Sequence, residues 1–227
     1  TASAGNHGLS VAAGARIFGA RAVVVLAETV PEAFAARLEA HGATVERLGA
    51  DYAESMAAAG DLAAREGWTL LSDSSWPGYT ALPRLVMEGY LQMAVEAADA
   101  LDAPPTHILL QAGVGGMAAA VAAFARTRWG DAPVIAVIEP EAAPALIEGI
   151  RAGEVVDTTG PVSAMGRLDC KTASRIALKG LARDADVFLT VAETAAAEAV
   201  SALAEAGIAT TPSGAAGLAP LLLPEGA

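Results

Sequence analysis

The chain has 227 residues, 54% of them apolar and 18% charged, a composition that supports a sizeable core and excludes a disordered protein. A net charge of −12 argues against a nucleic-acid partner, because an acidic surface repels phosphates. Without an apolar run of membrane-spanning length no membrane partner is expected, and the single cysteine, Cys170, fits a reducing, cytoplasmic setting.

Apolar runs with the character of buried parallel strands alternate with segments of helical period. The opening polar loop, TASAGNHG over 1–8, leads into a helix expected from near Gly8. Residues 22–27 predict a strand and 31–41 a helix, with Pro31 near its first turn and Gly42 closing it. A short strand over 43–48 precedes a helix over 51–65 capped by Asp51, and 68–71 reads as a third strand. A polar loop over 72–83 leads to a long helix from Arg84 to about Leu101. The rhythm then repeats: a strand over 107–111, a tight turn over 113–116, a helix over 117–127, a strand over 133–138 and a helix over 142–152. A helix over 171–183, a strand over 187–191 and a helix over 193–206 follow, and an extended piece at 208–211 leads into 213–223. This alternation implies an α/β fold with mostly parallel sheets and right-handed crossovers, divided into domains over 1–68 and 69–227.

Two helix starts draw attention. In HILLQAGVGGMAAA, residues 107–120, a buried strand meets a glycine turn and a small-residue helix. The first N–H groups of a helix have no intrahelical partner and its dipole favours negative charge there. Gly113, Gly115 and Gly116 remove side chains that would keep an anion away, so a phosphate cradle is the physical reading and a plain tight turn the alternative. The run from Gly113 to Ala118 also satisfies the dinucleotide pattern G-x-G-x-x-A, with Glu139 near the place of an acidic ribose ligand. In the opening loop, Ser3, Ala4, Gly5, Asn6 and His7 stand before a helix, a nest suited to a carboxylate or simply a capped helix. Asn6 carries donor and acceptor atoms for an aromatic hydroxyl. Asp73 follows the expected strand at 68–71, where α/β ligands bind, and is the candidate acid–base; a loop-capping aspartate beside Ser74 and Ser75 is the alternative. The two lysines, Lys171 and Lys179, fall in an expected helix and read as surface charges.

The motif S-x-G-N-H-G at 3–8, followed in the second half by A-G-V-G-G at 112–116, resembles the fold-type II pyridoxal-phosphate (PLP) enzymes related to tryptophan synthase β and threonine dehydratase. SDSSWPGYTALPRLVMEGYLQM at 72–93 and PTHILLQAGVGGMA at 105–118 resemble the diaminopropionate ammonia-lyase family, and the likeness continues through SAMGRLDC at 163–170 to SGAAGL at 213–218. The resemblance implies a lyase that eliminates ammonia from 2,3-diaminopropionate or a similar small amino acid to give pyruvate, and a homodimer. In its terms Gly113, Val114, Gly115, Gly116 and Met117 hold the cofactor phosphate, Asn6 the phenolic oxygen, and Ser3, Ala4, Gly5 and His7 the substrate carboxylate. Asp73 corresponds to the carboxylate that serves the L-substrate, and no metal is implied.

The family carries an aspartate at the position of Ala4, used on the D-isomer, and alanine cannot transfer a proton. The family's Schiff-base lysine lies upstream of the S-x-G-N-H-G loop and would precede Thr1, while a terminal strand follows the region of Ser213. The chain is therefore expected to be the middle of a longer enzyme, truncated at both ends, with little turnover alone. A serine/threonine-type dehydratase, a non-catalytic PLP-fold remnant and an NAD(P)-binding protein are the alternatives. Tyr79, Cys170 and Ser213 are expected to pack or cap.

Overall fold

The computed structural model describes residues 1–222, so the last position of the expected 213–223 segment, Leu223, lies outside the described residues. The chain divides into two compact units, Thr1–Ser72 and the part from Asp73 onward. Both are α/β with parallel strands, as the alternating pattern demands.

In the first unit, helix α1 (Asn6–Ile17) precedes strand β1 (Val23–Leu26), α2 (Glu32–Ala40), β2 (Thr44–Arg47) and α3 (Tyr52–Glu66). β1 and β2 pair in parallel, Val23 opposite Thr44, and Ala2 adds a bridge on Val25. Successive strand residues face opposite sides. Val24 and Leu26 meet Ala12 of α1 and Ala35 and Leu38 of α2, while Val25 meets Ala59 of α3. Asp51 caps α3 through the Glu54 N–H at 2.9 Å, and Gly67 closes it in the left-handed region. The expected strand at 68–71 does not form. This segment is not assigned to a strand, and the Trp68 N–H closes the α3 end on the Ala63 carbonyl.

The second unit holds α4 (Ala81–Asp99), β3 (His107–Gln111), α5 (Gly116–Trp129), β4 (Val134–Pro140), α6 (Ala145–Ala152), α7 (Arg175–Asp184), β5 (Val187–Val191), α8 (Glu193–Glu205) and the one-turn α9 (Pro212–Ala215). The sheet runs β3-β4-β5, all parallel. Ile135 and Val137 of central β4 face α5, α6 and α7, while Ala136 and Ile138 face α8 and α9. Ala118, Ala119, Ala122 and Ala125 let α5 lie close on the sheet, each at most 2% exposed. The start of α7 is Arg175, not Lys171, because residues 171–174 are held in a loop by bonds described below. No helix among the described residues is long and apolar enough to cross a membrane.

Candidate functional site

The second unit builds the glycine turn at the point where β3 gives way to α5. Gly115 is the N-cap, at φ +94, a left-handed conformation that favours glycine. A Cβ there would stand 3.0 Å from Leu146 Cδ2 and 3.3 Å from Ala177 Cβ, so the turn is packed from behind. A Cβ on Gly113 would stand 3.0 Å from Cys170 Sγ and 3.2 Å from the Arg167 carbonyl oxygen. At Gly116 the nearest atoms would be the Asp73 carbonyl oxygen at 3.6 Å, Met87 Cγ at 3.7 Å and Tyr90 Cε2 at 3.8 Å.

Among the described residues, no protein group accepts from the N–H of Gly115, Gly116, Met117 or Ala118. Four donors at the positive end of one helix, two of them on glycines, are a fit for the oxygens of a phosphate monoester. Val114 is placed differently from its neighbours: its N–H favours the thiolate form of Cys170, and its carbonyl accepts from the Ser174 N–H at 2.9 Å. The free donors therefore begin at Gly115.

Asp73 is half-buried beside this turn and its charge reaches two neighbours. Burial first, and then the Asp73 carboxylate, pushes the Tyr90 phenol up to about 12. The same causes, with Asp169 adding to them, push the Cys170 thiol to about 12, so both stay protonated near neutral pH. The loop after Asp73 is stitched to the start of α7. The Ser75 N–H donates to Ser174 Oγ (3.1 Å), the two hydroxyls stand 2.8 Å apart, Ser75 Oγ accepts from the Ile176 N–H (2.9 Å), and the Ser75 carbonyl accepts from the Arg175 N–H (3.0 Å). Pro77 and Gly78, the latter at φ +85, make a tight turn that stacks Trp76 on Tyr79 at 4.3 Å. Ser174 thus ties Asp73's loop to the glycine turn. Ser174 and Tyr90 are absent from the sequence reading, and only the spacing of Met87 and Tyr90 on one face of α4 could have indicated the tyrosine.

In the first unit the opening loop is organised by its own serine. Ser3 Oγ accepts from the Gly5 N–H at 3.2 Å and the Gly8 N–H at 3.1 Å, so those two donors are occupied, and the helix begins at Asn6 rather than near Gly8. His7 Nε2 lies 3.2 Å from the Leu71 carbonyl oxygen, which holds the ring within this unit. Ala4 and Asn6 are exposed.

Glu139 corrects the dinucleotide alternative. It is the penultimate residue of β4, fully buried, and its two oxygens accept from the Leu146 N–H at 2.7 Å and the Ile147 N–H at 2.8 Å. Each oxygen is bound to the start of α6, so the carboxylate is a buried helix cap with no face for a ribose. Burial, opposed by those two N–H bonds, raises its pKa to about 7. Lys171 is a second correction. It lies in a loop, and its Nζ meets the Ala142 carbonyl, the Pro161 carbonyl and Asp169 Oδ1, whereas Lys179 is an exposed charge on α7. Ser213 Oγ accepts from the Arg167 N–H at 3.1 Å. Among the described residues no cluster of metal-binding side chains occurs.

Comparison with known proteins follows the same lines. The family described as pyridoxal-phosphate dependent enzyme matches residues 1–226. The diaminopropionate ammonia-lyase of Salmonella typhimurium is 37% identical over 65% of this chain and 38% of its own length. The serine dehydratase-like protein of Mus musculus is 31% identical over 88% of this chain and 58% of its own. The structure of Escherichia coli diaminopropionate ammonia lyase in complex with D-serine superposes with a TM-score of 0.90 at 27% identity, covering 97% of this chain and 57% of that one. The chain spans about half the length of the relatives it matches.

Proposed function

The chain belongs to the pyridoxal-phosphate-dependent enzymes, and on that premise we propose that it serves a carbon–nitrogen lyase that eliminates ammonia from 2,3-diaminopropionate or a similar small amino acid to give pyruvate. The observation that carries the reading is the row of free N–H donors from Gly115 to Ala118, held open by glycines at a strand-to-helix turn, in a chain whose family is defined by a phosphorylated cofactor. PLP supplies an electron sink for the negative charge left when an amino acid loses its α-proton.

This chain's own residues do the rest. Gly115, Gly116 and Met117 hold the phosphate by backbone donors, Gly113 keeps the turn free of a side chain against the 167–170 loop, and Val114 fixes the turn through Ser174. Asp73 moves the proton, its carboxylate standing in a loop fixed to α7 by Ser75. In the first unit, Asn6 serves the cofactor's phenolic oxygen. Ser3, Ala4, Gly5 and His7 form the carboxylate loop, with Ser3 shaping it, so that the donors left are those of Ala4, Asn6 and His7. With alanine at position 4 the substrate is the L-isomer. A cytoplasmic setting and a homodimer complete the proposal.

The test is turnover of L-2,3-diaminopropionate with added PLP by the polypeptide expressed from its native gene, read as pyruvate and ammonia released together. Asp73→Asn is expected to lower kcat by about 10²-fold or more. Release of pyruvate and ammonia from L-serine but not from the diamino acid would instead favour the dehydratase reading, which the mouse relative supports over most of the chain. Absence of PLP binding would overturn both.

A further inference from the structure

The Lys171 ammonium has three N–H donors, and the second unit offers it three oxygens: the Ala142 carbonyl at 2.7 Å, the Pro161 carbonyl at 3.0 Å and Asp169 Oδ1 at 2.6 Å. Every donor is satisfied, from three separate stretches of chain. A solvated surface lysine gains little from an ion pair and keeps its rotamer freedom. This one is different, with its side chain 32% exposed and that of Asp169 only 16%.

The surroundings are built around it. The Lys171 carbonyl accepts from both the N–H and the Oγ1 of Thr158, at 2.8 and 2.9 Å, which fixes the backbone from which the side chain reaches. Beside Pro161, a Cβ on Gly160 would run into the Ala142 carbonyl oxygen, so that strand of loop lies directly against one of the three oxygens. The other oxygen of Asp169 accepts from the Ser163 N–H at 3.2 Å, closing the 163–169 loop on itself. That loop is the wall of the glycine turn, since Arg167, Leu168 and Cys170 are what a Cβ on Gly113 would meet.

We infer that Lys171 is a tethered monovalent cation: its ammonium fills a cage of two carbonyl oxygens and one carboxylate oxygen, and thereby positions the 163–170 loop against Gly113. Carbonyl and carboxylate oxygens are the ligands that replace the hydration shell of potassium or ammonium. The cage is thus a cation site whose cation is covalently part of the chain. If the side chain is shortened to an uncharged one, the cage becomes a site for a free monovalent cation. Lys171 acts through the loop and is a positioning residue.

The experiment uses Lys171→Met and needs neither PLP nor turnover, so its outcome is separate from that of the lyase reading. Melting is followed in tetramethylammonium, potassium and ammonium chlorides at equal ionic strength. The wild-type Tm is expected to be the same in all three. K171M is expected to melt about 5 °C lower in tetramethylammonium, with potassium or ammonium restoring more than half of the loss. Equal melting of K171M and wild type, or a loss that all three salts leave unchanged, overturns the proposal. If K171M folds only in potassium or ammonium the proposal stands, and if it folds in none of the three it falls. The loop is read separately through Cys170, the chain's single thiol. Thiol labelling is expected to be at least threefold faster in folded K171M than in wild type in tetramethylammonium and to slow in potassium, and a rate indifferent to the cation removes the link to the glycine turn.

Discussion

The helices that follow β3 and β4 start on the same sheet and treat their first turns in opposite ways. At α6 the buried Glu139 carboxylate sends one oxygen to each of two N–H groups, and the helix start is closed to anything else. At α5 the corresponding donors meet no protein oxygen among the described residues, and the turn after β3 supplies glycines where β4 supplies an acid. α1 in the first unit lies between them, with Ser3 occupying two donors and leaving the rest. Whether a helix start is structural or available is decided by the nearest oxygen in the chain's own side chains, and the dipole is the same in each case.

The strongest way to break this contrast is at α6. Glu139→Ala leaves the Leu146 and Ile147 donors buried without an acceptor, and the expected loss is roughly 3 kcal/mol, read from urea unfolding. An unchanged midpoint would mean that α6 does not depend on its buried acid. Next in size is Gly115→Ala, which forces a side chain into the left-handed region and against Leu146. About 2 kcal/mol of destabilisation is expected. Gly116→Ala meets nothing closer than 3.6 Å and should leave urea stability nearly unchanged while weakening PLP binding, measured by fluorescence titration. If both glycine variants lower stability alike, the turn is merely a packing device.

The same buried acid also makes stability depend on pH. Glu139 titrates near 4.5 in the unfolded chain and about 7 in the folded one, so between those values the folded state holds a proton that the unfolded state has released. Its contribution to stability is full below about 4.5 and is lost as pH rises through about 7, a change of roughly 3 kcal/mol. The difference in Tm between wild type and Glu139→Gln should follow that window, and a difference flat across it would assign the slope to another group.

Much of the fold was legible in the amino-acid order because its strands are short apolar runs bounded by breakers. β3 and β5 have the expected bounds, with Ala and Gly or Ala and Asp at their edges. The segment at 68–71 has the same composition, but composition does not supply a neighbouring ladder, and no strand forms there. The early start expected for α7 failed for a related reason: residues 171–174 fit a helical period, yet Lys171 and Ser174 are bonded to oxygens and donors far away in the chain. The glycine turn could be read because a left-handed residue and a close approach both demand glycine. The roles of Ser3, Glu139 and Lys171 could not, since each depends on where a short side chain points once the backbone has closed.

The bonds between Ser75 and Ser174 join residues 99 apart in the chain. During synthesis at about 5–20 residues per second, Ser75 is added to the chain roughly 5–20 s before its partner exists. The Asp73 loop therefore waits, unfastened, while β3, α5, β4 and α6 are made.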